Sequence, residues 1–150
     1  MRLGLHTDYG LRILMYLASA DCRATIAGIA SFFGISKDHL AKVARTLTRE
    51  GFVRSVRGSG GGLELAMSPS EISIGQVILR LEGSMELLEC VGSVNNVCVL
   101  QPNCRLRSVL AEAERLQTEY LCSISLSDLV AGGQPLVRIE LPSKPQVPPP

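Results

Sequence analysis

Two short helical segments separated by a tight turn constrain the fold of this chain more than any other feature. The first predicted helix covers residues 26–33, where Thr25 is a suitable N-cap and Gly34 fits the left-handed conformation that often ends a helix. Ser36 then begins a second predicted helix over residues 37–47, whose apolar side chains recur at helical spacing along one face. Two such helices joined by a glycine-containing turn are typical of the helix-turn-helix motif.

The segment after the second helix predicts a hairpin of two strands. Apolar and polar residues alternate over residues 52–57 and again over 63–67, as they do in half-buried strands. The run between them, Gly58-Ser59-Gly60-Gly61-Gly62, supplies the backbone freedom of a tight turn. It lacks the Lys-Ser or Lys-Thr pair of a nucleotide-binding loop, and it joins two strands. The predicted fold class is therefore mainly α with a small β-hairpin: a winged helix-turn-helix domain followed by a long helix.

The rest of the chain predicts further helices and a tail. A first helix begins with Thr7 as its N-cap, and a helix after the wing begins at Pro69 and ends at Gly83. Residues 103–122 have the three-and-four apolar spacing of a helix that packs on another helix. The predicted organisation is a winged helix-turn-helix domain (1–82), a cysteine-bearing loop (83–104), a long helix with a terminal turn (105–131), and an extension with a flexible, proline-rich tail (132–150).

Charge is distributed unevenly along the chain. Residues 1–60 carry nine Lys and Arg against four Asp and Glu, a balance of +5, and the remaining residues carry six against ten, a balance of −4. A basic winged helix-turn-helix segment points to double-stranded DNA, with the second helix in the major groove. The candidate DNA-binding residues are Ser36, Lys37, His39, Lys42 and Arg45 in that helix and Arg54, Arg57, Ser59 and Gly60 in the wing. The alternative is that these charges form an ordinary solvated face.

Several functional classes leave no trace in the sequence. There is no nucleophile elbow and no zinc-protease motif, so we predict that the chain is not an enzyme. No apolar run reaches the roughly 18 residues of a membrane span, and an acid at Asp8 comes too early for a secretory signal peptide. Five cysteines, an odd number, do not suggest a complete disulfide framework. We therefore expect a soluble, cytoplasmic protein that does not associate with membranes.

Three of the cysteines lie close together after the winged-helix domain. Seven residues separate Cys90 from Cys98 and five separate Cys98 from Cys104, and the glycine, asparagine and proline residues nearby favour a loop. Soft thiolates bind iron–sulfur clusters, zinc or copper(I). The close cysteine pair of most zinc sites is absent, and a cluster with four ligands leaves one position for another residue. Buried, inert thiols are the alternative, and we favour it for the isolated Cys22 and Cys122.

Four parts of the sequence carry a family resemblance. They are His6-Thr7-Asp8-Tyr9-Gly10-Leu11-Arg12, Val56-Arg57-Gly58-Ser59-Gly60-Gly61-Gly62-Leu63, the three clustered cysteines, and Leu126-Ser127-Asp128-Leu129-Val130. They resemble the winged-helix iron–sulfur transcription regulators, and the resemblance extends to about residue 141. It implies a homodimer with helix 103–122 at the interface.

The resemblance also implies a cofactor. It implies a [4Fe-4S] cluster held by Cys90, Cys98 and Cys104, with Asp8 from the first helix of the partner subunit as the fourth ligand and Arg12 supporting that acid. Without the resemblance, Asp8 is better explained as a first-turn acid that is favoured by the helix dipole and paired with Arg12.

The nitric-oxide-responsive branch of this family matches best, because it carries an acid where Asp8 stands. The resemblance then implies a repressor whose cluster-loaded dimer binds palindromic operator DNA and releases it when nitric oxide nitrosylates the cluster. The seven-residue gap between Cys90 and Cys98 is instead similar to an iron-responsive branch, so a regulator of iron or cluster status is the alternative. Another branch has a histidine where Arg107 stands, which argues against it. A cluster carrier and a structural-zinc regulator are the remaining alternatives.

Overall fold

Helices dominate the computed structural model, which describes residues 3–20, 23–87 and 104–132. Within these residues the elements are α1 (Leu5–Ala20), α2 (Ile26–Phe33), α3 (Lys37–Arg49), β1 (Val53–Val56), β2 (Gly62–Leu65), α4 (Ile74–Glu82), α5 (Arg105–Ser123) and α6 (Leu126–Val130). The strands pair as a two-stranded antiparallel sheet. The prediction of a mainly α fold with a small β-hairpin is confirmed. Cys22, Cys90 and Cys98 lie outside the described residues.

One apolar core joins α1, α2, α3, α4, α6 and the wing. Its side chains with no exposed surface are Ile13, Leu14, Ile29, Leu40, Leu47, Ile72, Val77 and Leu126. The predicted spacing on α3 is confirmed, because Leu40, Val43, Ala44 and Leu47 are all buried there. Since these four side chains turn toward the core, the polar residues between them are left on the outer face of α3.

The turn between α2 and α3 forms as the sequence predicts. The Thr25 hydroxyl accepts a hydrogen bond from the backbone N–H of Gly28 at 3.0 Å, which caps the start of α2. Gly34 follows α2 with φ of 66°, in the left-handed region. Ser36 stands at the N-cap of α3, but its side chain makes no capping hydrogen bond. The Ser36 hydroxyl is therefore not used within α3, at the end of the helix that we expect to meet DNA.

The start of α1 differs from the prediction. The helix begins at Leu5, and Thr7 is completely buried inside its first turn. The backbone N–H of Asp8 donates to the Gly4 carbonyl at 3.0 Å, so the helix already begins one turn earlier than a Thr7 cap allows. Gly4 also donates its own N–H to Glu82 Oε1 at 2.7 Å. This bond ties the beginning of α1 to the end of α4.

The strands of the wing, Val53–Val56 and Gly62–Leu65, are shorter than the alternation of apolar and polar residues predicts, and a further segment packs against them. Its register runs from Val53 opposite Leu65 to Val56 opposite Gly62. A short bridge adds a third segment, because Ala24 and Leu63 exchange backbone hydrogen bonds of 3.0 and 2.8 Å. A Cβ at Gly62 would lie 2.6 Å from the Ala24 carbonyl oxygen. Part of the glycine run is thus explained by the close approach of this third segment.

The segment after the wing begins differently from the prediction. Pro69–Glu71 form a separate 3-10 turn rather than the start of α4. Ile72 is extended and buried, and the Ser73 side chain caps α4, which begins at Ile74. The Ile72 carbonyl accepts a hydrogen bond of 2.8 Å from the backbone N–H of Leu126. This extended residue therefore anchors α6 against the winged-helix core.

The long helix α5 packs one face on α4. A Cβ at Gly75 of α4 would lie 2.5 Å from the Cys122 sulfur, so the two helices approach closely at this point. The other face of α5 carries an exposed apolar row at the predicted heptad spacing, which we call the α5 row. Its members are Leu106, Val109, Ala113, Leu116 and Tyr120. Four of them are large and more than half exposed, at 59%, 64%, 53% and 68% for Leu106, Val109, Leu116 and Tyr120.

Candidate nucleic-acid interface

The outer face of α3 brings together the predicted DNA-binding residues of this helix. Ser36, Lys37, His39, Lys42 and Arg45 are all exposed. Within the part of the chain that the structure describes, none of Lys37, Lys42 and Arg45 forms an ion pair. By contrast, Arg49 in the last turn of α3 pairs with Glu50 at 3.1 Å. The front of α3 therefore presents net positive charge to solvent, with Asp38 as the one acid of the helix, which suits a polyanion.

The predicted wing residues fall into two groups. Arg57, Ser59 and Gly60 are exposed, and Arg57 makes no ion pair with any described residue. Arg54 is exposed as well, but its Nε donates a hydrogen bond to Glu64 on the neighbouring strand. Arg57 is therefore available to a phosphate as it stands, whereas Arg54 must share its guanidinium with a carboxylate.

Arg23 is a residue of this surface that the sequence analysis missed. Its guanidinium donates to Glu64 Oε2 from Nε at 2.9 Å and from Nη2 at 2.7 Å, and its Nη1 donates to the Gly60 carbonyl at 3.2 Å. The hydrogen bonds from Arg23, and after it from Arg54, hold the pKa of the Glu64 carboxyl below its usual value. We call Arg23 and Glu64 the wing brace, because they tie the tip of the hairpin to the segment before α2. No local pattern announces it, since the partners are 41 residues apart.

Asp8 and Arg12 form the pair that their spacing predicts. Arg12 Nε lies 3.0 Å from Asp8 Oδ2, and the side chains are 45% and 41% exposed, respectively. The Arg12 guanidinium also lies over the Phe33 ring, 5.7 Å from its centroid. Within one chain, the ion pair between them is enough to explain why Asp8 and Arg12 stand four residues apart on α1. Their exposure leaves the Asp8 carboxylate accessible to a second chain.

Cys104 is the one member of the cysteine cluster among the described residues. It is half-buried at the N-cap of α5, its thiol is free, and its side chain makes no capping bond. The sulfur of this residue is a soft donor, which suits a metal ligand. In the described ranges no group of three His, Cys, Asp or Glu side chains stands together as a metal site. The predicted cluster ligands Cys90 and Cys98 lie outside those ranges.

Among the helices in the described part of the chain, none is both long and apolar enough to cross a bilayer.

The chain is similar to one known sequence family and to relatives named as HTH-type transcriptional regulators. The model of the Rrf2 family, described as an iron-dependent transcriptional regulator, matches residues 4–132. The HTH-type transcriptional regulator NsrR of Halalkalibacterium halodurans is 39% identical over 132 residues, which are 87% of this chain and 90% of the relative. NsrR of Bacillus subtilis (strain 168) is 38% identical over 141 residues, 93% of this chain and 97% of that relative.

Solved structures give the same picture of the fold. CymR, the global cysteine regulator of B. subtilis, superposes with a TM-score of 0.74 at 26% identity, covering 86% of this chain and 95% of that one. IscR of T. potens superposes with a TM-score of 0.67 at 28% identity, covering 86% and 85%. The winged-helix prediction is thereby confirmed, and relatives named as transcriptional regulators bear out the prediction that the chain is not an enzyme.

Proposed function

Because the chain belongs to the Rrf2 family of transcriptional regulators, we propose that it is a homodimeric repressor that binds operator DNA and responds to nitric oxide through an iron–sulfur cluster. The observation that carries the DNA-binding part is the net positive face of α3 beside the wing. In this mode the first turns of α3 enter the major groove, and Arg57 meets the phosphate backbone.

Salt-dependent binding tests this mode. Lys42→Ala should weaken operator binding and reduce the slope of log affinity against log salt by about 0.9, the effect of one phosphate contact. Arg80→Ala is the matched control, because Arg80 is an exposed cation on α4 that lies 4.0 Å from Glu50 beyond the last turn of α3, at the opposite end of that helix from Ser36 and Lys37. Equal salt slopes for the two variants would contradict the proposed docking of α3.

The α5 row supports the homodimer. Large apolar side chains at heptad spacing on one exposed helix face are costly in water and are covered most simply by a second copy of the same helix. A two-fold dimer places two α3 helices on a palindromic site, with half-sites one turn of DNA apart or a multiple of it. The dimer therefore gives the spacing that a single winged helix cannot read.

The chemistry of the donor set supports a [4Fe-4S] cluster. Cys90, Cys98 and Cys104 would hold it, with Asp8 of the partner subunit as the fourth ligand, and the bound cluster would supply the iron with which nitric oxide reacts. Cys104 contributes a thiol at the positive end of α5. Arg12 keeps the Asp8 carboxylate in place on the surface of α1. Asp8 stands at the start of a helix that packs on α3, so its ligation is coupled to the position of α3.

Anaerobic preparation of wild type, Cys98→Ala and Cys122→Ala tests the cofactor. We expect iron, sulfide and visible absorption in the wild type and in Cys122→Ala, whose thiol packs against α4. Nitric oxide should bleach that absorption and release operator DNA from both proteins. Cys98→Ala should lack the cluster, and a Cys98→Ala protein that still responds to nitric oxide would overturn the cluster mechanism. A zinc-containing or colourless wild type would leave a DNA-binding regulator without it.

Iron status is the second candidate signal. The seven-residue gap between Cys90 and Cys98 favours it, and so does the description of the matching family as iron-dependent. Titrating the operator complex separately with an iron chelator and with nitric oxide distinguishes the two signals. If the chelator releases operator DNA and nitric oxide does not, the iron-responsive function is favoured.

A further inference from the structure

A solvent-facing groove of about 200 Å³ lies between the first turns of α1 and the middle of α3. Its lining residues are Leu5, His6 and Tyr9 from α1 and His39, Lys42 and Val43 from α3. We call it the α1–α3 groove. It adjoins the outer face of α3, because His39 and Lys42 belong to both surfaces. The proposals for the α5 row and for the cluster give His6 and Tyr9 no role.

The chemistry of the groove is apolar at its walls and basic at its rim. None of the six described lining residues is acidic, and Lys42 with the two imidazoles supplies donors for an anion. Leu5 is 65% exposed, so its apolar side chain is open to solvent at this groove. An apolar wall beside cationic donors fits a deoxyribose with its flanking phosphates.

We propose that the α1–α3 groove binds the sugar–phosphate backbone of the operator next to the bases read by α3. His6 and Tyr9 then belong to the DNA-contacting surface, and Leu5 packs against a sugar. This inference rests on the proposed DNA binding by α3, and it is independent of the signal that the protein senses. Charge complementarity and continuity with the α3 surface favour DNA over any other occupant.

Contacts of this kind carry a recognisable signature. Backbone contacts do not read base identity, so they raise affinity for operator and for random duplex alike. They also add to the salt dependence, because each neutralised phosphate releases counterions. Loss of the groove should therefore lower both affinities together and leave their ratio unchanged, whereas loss of a base contact changes the ratio.

A charge placed in the groove gives the sharpest test. Leu5→Glu should weaken binding to operator and to random duplex by about ten-fold each, because a carboxylate would face phosphates. Leu5→Gln, which has the same shape without charge, should bind far more tightly than Leu5→Glu. Leu129→Glu is the matched control, since Leu129 is an exposed leucine on α6, 39% exposed, that lines neither surface. Circular dichroism verifies that all three variants are folded.

Ethylation interference locates the contact. With wild type we expect one interfering phosphate per half-site that disappears with His6→Ala and weakens with Tyr9→Phe. Arg45→Ala, which lies on α3 outside the groove, reports the α3 mode by itself. If Arg45→Ala weakens binding while Leu5→Glu and His6→Ala bind both duplexes like wild type, the groove inference is wrong and the proposed function stands. If Arg45→Ala also binds both duplexes like wild type, the proposed binding of DNA by α3 is wrong as well.

Discussion

Replacing Leu116 with alanine tests whether the α5 row joins two copies of the chain. Leu116 is 53% exposed in the single chain. Complete burial of a leucine side chain is worth about 1.5–3 kcal/mol, so covering the exposed half contributes about 1 kcal/mol. Two-fold symmetry makes the substitution act twice, for a total of about 2 kcal/mol. The dimer dissociation constant should therefore rise by about 30-fold.

Sedimentation equilibrium over a range of protein concentrations measures that constant. Leu129→Ala serves as the control, because it removes an exposed leucine from α6 rather than from the α5 row. We expect the control to dimerise like wild type. Leu116→Ala should also lose operator affinity at concentrations where the wild type is a dimer, since a monomer meets only one half-site. If both Leu116→Ala and Leu106→Ala dimerise as tightly as wild type, the α5 row is not the interface.

Three further perturbations test the wing and the contact between α4 and α5. An NMR titration of Glu64 should give a pKa below the usual value for glutamate, because Arg23 donates hydrogen bonds to its carboxylate. The wing brace then stabilises the fold at pH values above the ordinary glutamate pKa, and this stabilisation is lost as pH falls through the lowered pKa of the folded protein. A normal or raised pKa for Glu64 would refute the wing brace. Gly75→Ala should cost about 1–3 kcal/mol in chemical denaturation, since its Cβ would lie 2.5 Å from Cys122, and full stability would contradict that close packing. Gly62→Ala, whose Cβ would lie 2.6 Å from a carbonyl oxygen, should displace the wing and weaken DNA binding, which a fluorescence-anisotropy titration detects; wild-type affinity would show that the wing tolerates it.

The elements that could be predicted from the sequence are those specified by neighbouring residues. The turn between α2 and α3 depends on the Thr25 cap and on the positive φ of Gly34, and both signals are local. The α5 row could likewise be predicted, because the heptad spacing persists from Leu106 to Tyr120 within one helix, Arg105–Ser123. The basic character of residues 1–60 could also be predicted, because it depends only on which residues occur there. Each of these features needs only the order of residues along the chain.

The features that were missed depend on contacts between distant segments. Thr7 has the chemistry of an N-cap, but Gly4 starts the helix earlier because its N–H is held by Glu82. Pro69 begins a 3-10 turn instead of α4, since Ile72 must extend to pair with the segment that leads into α6. Arg23 likewise finds its partner across the fold, in the wing. The cysteine ligands depend on a loop outside the described residues and on a second chain, and neither can be predicted from periodicity.

The position of α1 explains how the two halves of the proposed function can communicate. This helix packs on α3, α4, α6 and the wing strand β2, so it joins the proposed DNA-binding surface to the rest of the fold. The start of α1 is tied to α4 by the hydrogen bond from the Gly4 N–H to Glu82. The middle of α1 also packs closely on α4, because a Cβ at Gly10 would lie 2.5 Å from the Leu81 side chain. Such packing does not let the first turn move independently of its neighbours. A ligand bound at Asp8 would therefore shift α3 and the α1–α3 groove together, and small displacements there change the distance between the two α3 helices of a dimer.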